Sequence, residues 1–242
     1  MIKDEFWRSY LRLVVGGVAL SLIFELFEAV GSKFSIGYLK IIVELIAVII
    51  LALLLRKKNI IREIPVSSDG LFAITLFPIA LNVWCSFAPI NSEIILEDLS
   101  FTTLDLVLSV LWKQIFFIGI GTALFKKHRN FKPSVKEMLT IVSAFTFSCF
   151  VDGFNIELIQ SFCVALLCLA LYLKTKSLDL PISFALLHAL STQFFSYLSR
   201  TSHVMEEPYY LIIYLSNALI IFLIACGILN FNGFLPSRRE YN

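Results

Sequence analysis

Lys113 and Gln114 stand deep inside an apolar run, Leu111 to Lys127, that reads LWKQIFFIGIGTALFKK and ends in a basic cluster. An ionised side chain at the centre of a membrane helix costs roughly 2.5–3.5 kcal/mol on insertion scales, so a lysine there points to a partner or to chemistry. Three glutamates in other apolar runs are natural partners. Glu25 and Glu28 lie three residues apart and share one helix face, and Glu44 follows Lys40 by one turn. As a functional cluster, Glu25, Glu28, Lys40, Glu44 and Lys113 would line a proton or substrate path. As a structural one, the carboxylates pair with Lys113 or Lys40 inside a bundle, or sit near an interface and snorkel. Pairing predicts a carboxylate within about 6 Å of the Lys113 ammonium, the range in which opposite charges favour ionisation.

His188 is the one histidine inside an apolar run, since His128 and His203 fall in connections. It reads either as a hydrogen-bonded packing residue or as a catalytic base lacking a partner at recognisable spacing. Asn82, Gln114, Gln193 and Asn217 suit hydrogen bonding between helices, at roughly 0.6 kcal/mol each. Gly16-Gly17 and Gly119-x-Gly121 read as close helix contacts. The five cysteines, Cys85, Cys149, Cys163, Cys168 and Cys226, all lie in apolar runs without a CxxC pair. They read as small hydrophobes, and no metal site or cofactor is expected. No P-loop, Gly-x-Ser-x-Gly or His-Glu-x-x-His is present.

The elements that must position these groups are membrane helices. Of the 242 residues 58% are hydrophobic, 23 are Phe and only 16% are charged, and the mean hydropathy is +0.85. A soluble domain is about 45–50% apolar. Nucleic-acid binding has no support in this composition. Eight runs approach the ~20 residues that span hydrocarbon, near 11–31, 36–55, 71–90, 104–125, 137–151, 156–173, 178–198 and 208–230. Asp152-Gly153 closes the short fifth run. Pro78 and Pro181 are expected to kink or open the third and seventh. The basic start resembles a signal peptide with a cleavage-like Ala29-Val30-Gly31, but Glu25 and Glu28 interrupt its apolar region, so an uncleaved first span is expected. Sixteen of the 20 Lys and Arg fall at the N-terminus, in the second, fourth and sixth connections and at the C-terminus. This alternation predicts a polytopic, all-α membrane protein of the cell membrane, a single domain over 1–242, with both termini cytoplasmic. The clusters Arg56-Lys57-Lys58 and Lys126-Lys127-His128-Arg129 follow from topology. Anionic lipid would add about 1 kcal/mol per basic residue there.

Three segments share a frame with a known membrane family. Lys113-Gln114-Ile115-Phe116-Phe117-Ile118-Gly119 occupies the place of two glutamates, a short hydrophobic stretch often ending in Phe, and Arg-Gly. Ser143 to Val151 occupies the place of a Phe followed four residues later by His; counting from Phe145 or Phe147 puts Cys149 or Val151 there. Thr175-Lys176-Ser177-Leu178-Asp179-Leu180-Pro181 matches a Thr-Gly-Ser-Leu-x-x-Pro lead-in. The His and Asn that follow in the pattern fall on Ala185 and Ala189, with His188 and Thr192 one turn later. Over about residues 100–200 the chain thus resembles the CPBP family, the CAAX proteases and bacteriocin-processing or immunity proteins. The resemblance implies a CPBP-like core whose catalytic set is lost, because Lys113, Gln114 and Ile118 replace the two glutamates and the arginine. It implies a non-catalytic protein that binds a hydrophobic peptide or a partner membrane protein, in bacteriocin self-immunity or in support of a membrane complex. Two alternatives remain: the membrane subunit of an ABC-type immunity exporter, and an intramembrane peptidase using His188 with Glu25, Glu28 or Glu44. A binding cavity is expected between the fourth, fifth and seventh spans.

Overall fold

Each apolar run that falls on described residues is a helix. The computed structural model describes residues 2–34, 36–57, 96–126, 133–151, 157–175, 177–202 and 207–231; the third run, 71–90, lies outside them, with Pro78, Asn82 and Cys85. The described residues form seven helical rods and no strand. They are α1 (Ile2–Lys33), α2 (Leu39–Lys57), a third rod, α5 (Pro133–Val151), α6 (Glu157–Thr175), α7 (Asp179–Ser202) and α8 (Glu207–Phe231). The third rod joins α3 (Leu96–Gln114), a π-helical segment (Ile115–Ile120) and α4 (Gly121–Lys126). By length and composition, Trp7–Lys33 and Thr102–Phe125 are long and apolar enough to cross a membrane.

The rods end where local chemistry ends them. At the α1–α2 corner the Ile36 N–H donates to the Gly31 carbonyl at 2.7 Å. A Cβ at residue 31 would stand 2.6 Å from the Ile36 oxygen, so the close backbone approach requires glycine. The cleavage-like Ala29-Val30-Gly31 is therefore part of a helix–helix turn. Between α6 and α7, Ser177 Oγ donates to Asp179 Oδ2 (2.8 Å) and accepts the Asp179 N–H (3.3 Å), an N-terminal cap with an acid on the positive end of the dipole. Pro181 then falls in the first turn of α7, where a missing N–H costs nothing. The expected kink is thus corrected, because Pro181 is the third residue of the helix, among the N–H positions that have no intrahelical partner. Asp152-Gly153 lies outside the described residues.

α6 is the central helix. Leu166 to Tyr172 are all buried, which requires neighbours on every side, and α5, α7, α8 and the π segment supply them. Around it, α3 packs on α2 and α7, and α1 on α2, α4 and α5. An aromatic chain ties α1 to α5: Phe24–Trp112 (5.5 Å between ring centres), Trp112–Phe147 (5.7 Å) and Phe147–Phe117 (4.9 Å). Its end rests on the expected glycine notch. Cβ atoms at 16 and 17 would lie 3.0 and 2.7 Å from the ring tips of Phe116 and Phe117. Tyr10 on α1 adds a polar tie, donating to Thr146 on α5 at 2.6 Å, while Thr146 donates to the Val142 carbonyl. The outer faces are aliphatic: Ile42, Leu45, Ile46, Ile49, Ile50, Leu53 and Leu54 on α2, and Leu215, Leu219, Phe222 and Leu223 on α8, are exposed.

Candidate functional site

Small residues on three helices open a cavity of about 520 Å³ in the bundle. Ala144 and Ser148 of α5, Ser161 and Ala165 of α6, and Ala185 and Ala189 of α7 line it; larger side chains there would fill it. α3 and the π segment close the opposite wall with Val110, Lys113, Gln114, Phe117 and Ile118. The cavity thus lies between the expected three spans, with α6 as a fourth wall. Its volume is in the range of roughly 300–1,000 Å³ typical of small-ligand sites.

Seven of the positions picked out by motif spacing meet at this cavity: Lys113, Gln114, Ile118, Ala185, His188, Ala189 and Thr192. Cys149 does not. The lining residues of α5 are Ala144, Phe147 and Ser148, and the next residue turns about 100° away. The side chain of Val151 lies outside the described residues. Thr192 does not pair with the imidazole; its hydroxyl donates to the His188 main-chain carbonyl at 2.9 Å, as Ser191 also does.

His188 is 6% exposed and its Nε2 faces two amides, Gln160 Nε2 at 3.1 Å and Asn217 Nδ2 at 3.3 Å. With amide nitrogens so placed, Nε2 is the acceptor and Nδ1 carries the ring proton. The partners come from α6 and α8. No carboxylate is among these two partners. Gln160 had not drawn notice in the sequence; its signal was a lone amide in an apolar helix.

The charges within the apolar runs sort differently from expectation. Lys40, on α2, bonds Glu28 Oε2 of α1 at 2.9 Å and reaches both oxygens of Asp105 on α3, at 3.2 and 3.3 Å. Asp105 went unread in the sequence, although it lies in an apolar run eight residues before Lys113, where the rule that singled out the lysine applies equally. Glu25 is exposed. Glu44 is 2% exposed, and its Oε2 has no hydrogen-bond partner among the described residues. It interacts through space with Asp105, Lys40, Lys113 and Glu28. Lys113 makes no ion pair at contact distance among the described residues; of the expected partners, Glu28 bonds Lys40 instead, and Glu44 reaches Lys113 through space. The helix axes hold Glu28 and Asp105 around Lys40 instead. The Lys113 ammonium sits 6.0 Å from the Trp112 ring centre.

The π segment begins directly after Gln114. The Gly121 N–H is shared between the carbonyls of Phe116, five residues back, and Ile118. Such wide turns often accompany functional sites, and this one forms part of the cavity wall. Thr122 Oγ1 donates to the Ile118 carbonyl at 2.5 Å, a second hydrogen bond to that oxygen.

Among the described residues no three His, Cys, Asp or Glu side chains come together as metal ligands. Cys149, Cys163, Cys168 and Cys226 are free thiols. Cys168 donates to the Pro181 carbonyl at 3.5 Å.

Comparisons with protein-family models, with curated proteins and with solved structures find no match to this chain.

Proposed function

We propose that this chain is a multi-pass membrane protein that holds an apolar peptide, or a segment of a partner membrane protein, in the cavity without cutting it. The observation that carries the reading is the chemistry of the wall. It is apolar and small-residued, with amides, hydroxyls, one imidazole and a single cation among the described residues, and no carboxylate stands among the described lining residues. Peptide hydrolysis of the CPBP kind needs a general base to activate water. Lys113 and Gln114 stand at the corresponding places, and two amides engage His188. The resemblance to the CPBP family makes bacteriocin self-immunity, or support of a membrane complex, the role that fits.

The membrane placement rests on the aliphatic outer faces of α2 and α8. Exposed apolar patches beyond a few hundred Å² are rare on soluble monomers, and in hydrocarbon they carry no such cost. About eight spans with both termini cytoplasmic follow from the distribution of Lys and Arg. Reporter fusions after Asn59, Asn130 and Asn242 are expected to read cytoplasmic and a fusion after Asn91 external. A cytoplasmic signal at Asn91 overturns the topology.

For the binding role, the full chain in lipid nanodiscs is incubated with a library of apolar peptides and analysed by mass spectrometry. A subset is expected to be retained intact. Ala165→Trp, which fills the cavity, abolishes retention, and His188→Ala leaves it within about threefold, a change below 1 kcal/mol. Cleavage that disappears in His188→Ala identifies a rearranged peptidase. Retention indifferent to Ala165→Trp removes the cavity from the function.

A further inference from the structure

The charges on α1, α2 and α3 descend into the bundle in steps. Lys40 meets Asp105, and Leu55 stands against Gly119, so α2 and the third rod run in the same direction. Depth along the two can therefore be compared. Glu28, Lys40 and Asp105 form the outermost step, at the α1–α2 corner. Glu44 comes four residues after Lys40 and Lys113 eight after Asp105, which places them about 6 Å and about 12 Å deeper at 1.5 Å per residue. Lys113 is then at the cavity wall.

Glu44, the middle step, lacks a partner. It is 2% exposed, and its Oε2 has no hydrogen bond among the described residues. The helices packed on it bring charges of both signs. Glu28 acts on it from α1, Lys40 from its own helix, and Asp105 and Lys113 from α3. The π segment also packs on α2 and carries no charged residue. Glu25 and Lys33 of α1 are exposed. Lys40 is engaged by Glu28 and Asp105, whereas Lys113 has no ion pair at contact distance among the described residues. Three carboxylates thus face two ammoniums, and an uncompensated charge in an apolar interior is strongly disfavoured. A proton on Glu44 removes that charge. A metal ion fits less well, because no three ligand side chains come together among the described residues.

We propose that Glu44 is a proton-binding site linked to the cavity wall through Lys113. With its O–H bond intact, Glu44 is neutral between the ion-paired triad and the cavity. When that bond breaks, the proton passes to water at the outermost step, where Asp105 is 38% exposed. The carboxylate left behind takes the Lys113 ammonium, the neighbouring cation without a contact pair among the described residues. Their levels differ by about 6 Å, a gap that a flexible four-carbon stem closes. Release of the proton thus draws the positive charge of the cavity wall toward α2, and rebinding returns it. The site needs no occupant in the cavity, so its test is independent of peptide retention.

The test is an infrared titration of the full chain in nanodiscs of ether-linked lipid, which has no ester carbonyl to mask the protein. Difference spectra between about pH 4 and 9, a range reaching from ordinary to buried carboxyls, report the C=O band of protonated acids, identified by its shift in D2O. One such band is expected to be lost in Glu44→Gln and kept in Glu25→Gln. Lys113→Met removes the cation that receives the ionised form, so the proton affinity of this band rises about tenfold, one pH unit at its midpoint. Lys113→Arg leaves the midpoint within about half a unit, since the guanidinium stays charged. The glutamine variant keeps the shape of the neutral carboxyl. Should it fail to fold, Glu44→Asp makes the assignment instead, by moving the band without abolishing it. A spectrum in which no titrating band responds to either change at residue 44 overturns the proton site. A midpoint unmoved in Lys113→Met overturns the link to the cavity wall.

Discussion

Gly119→Leu is expected to abolish the folded bundle or to leave it severely destabilised. A Cβ at residue 119 would stand 2.5 Å from Leu55 Cδ1 and 3.2 Å from Leu178 Cδ1. Both leucines are 1% exposed, so neither has open space to retreat into. Overpacking of this kind costs about 1–3 kcal/mol, which is the loss expected of Gly119→Ala; the three further carbons of leucine raise it above that range. Thermal unfolding in mild detergent reads the effect. Leu55→Ala added to Gly119→Ala should restore part of the stability, because it removes the atom that the new methyl group meets. Stability of Gly119→Leu within about 0.5 kcal/mol of the parent, the range of a neutral surface change, would show that α2 does not pack on the π segment as described. Gly17 makes the same point from α1. Its Cβ would lie 2.7 Å from Phe117 Cζ and 3.0 Å from Phe147 Cδ2, rings fixed by the aromatic chain.

Lys40→Met is expected to cost about 1–3 kcal/mol, between the ~0–1 kcal/mol of an exposed pair and the 3–5 kcal/mol found when one partner of a buried pair is removed. The intermediate value applies because Lys40 is mostly buried whereas Glu28 is more than half exposed and Asp105 is 38% exposed. The lysine ties α1, α2 and α3 through Glu28 and Asp105, so its loss strands two carboxylates in an apolar setting. Lys40→Arg should retain most of the stability, since the guanidinium reaches both acids. Lys40→Met combined with Asp105→Asn should recover a substantial share, because the more buried of the two stranded charges is gone. The readout is again unfolding in detergent. Single and double variants of equal stability would mean that the triad contributes nothing to holding the three helices together.

These two results bear on different parts of the molecule. Gly119 belongs to the packing that lets the π segment approach α2, while the Lys40 triad sets how α1, α2 and α3 sit beside one another. Both lie next to the cavity wall that carries Lys113 and Gln114.

Much of this arrangement was legible in the residues. Seven of the eight apolar runs fall on described residues, and each is a helix with ends within a few residues of its place in the sequence, apart from earlier starts of α1, α3 and α5. That follows because apolarity and the need to satisfy backbone hydrogen bonds act over a single segment. The glycines at 16, 17, 119 and 121 were legible as close contacts for the same reason: absence of a side chain is a local property. That Lys113, Gln114, Ile118, Ala185 and His188 belong to one site was implied only by the family resemblance, because no local property of these residues brings them together.

What only the tertiary structure decided was which groups meet. Three glutamates and two lysines in separate helices allow many pairings, and hydropathy ranks none of them. The rotation of each helix about its axis chose Glu28 and Asp105 for Lys40 and left Lys113 facing the cavity. The same rotations gave His188 two amide partners from α6 and α8, and turned Cys149 away from the cavity on a helix where Ser148 faces it. The π turn at Ile115–Ile120 was not legible either, because it arises where adjacent rings, Phe116 and Phe117, both seat on α1. Helix formation is determined residue by residue within a segment, whereas pairing depends on helix rotation and register, which are set by contacts between residues as far apart in the chain as Gly17 and Phe147.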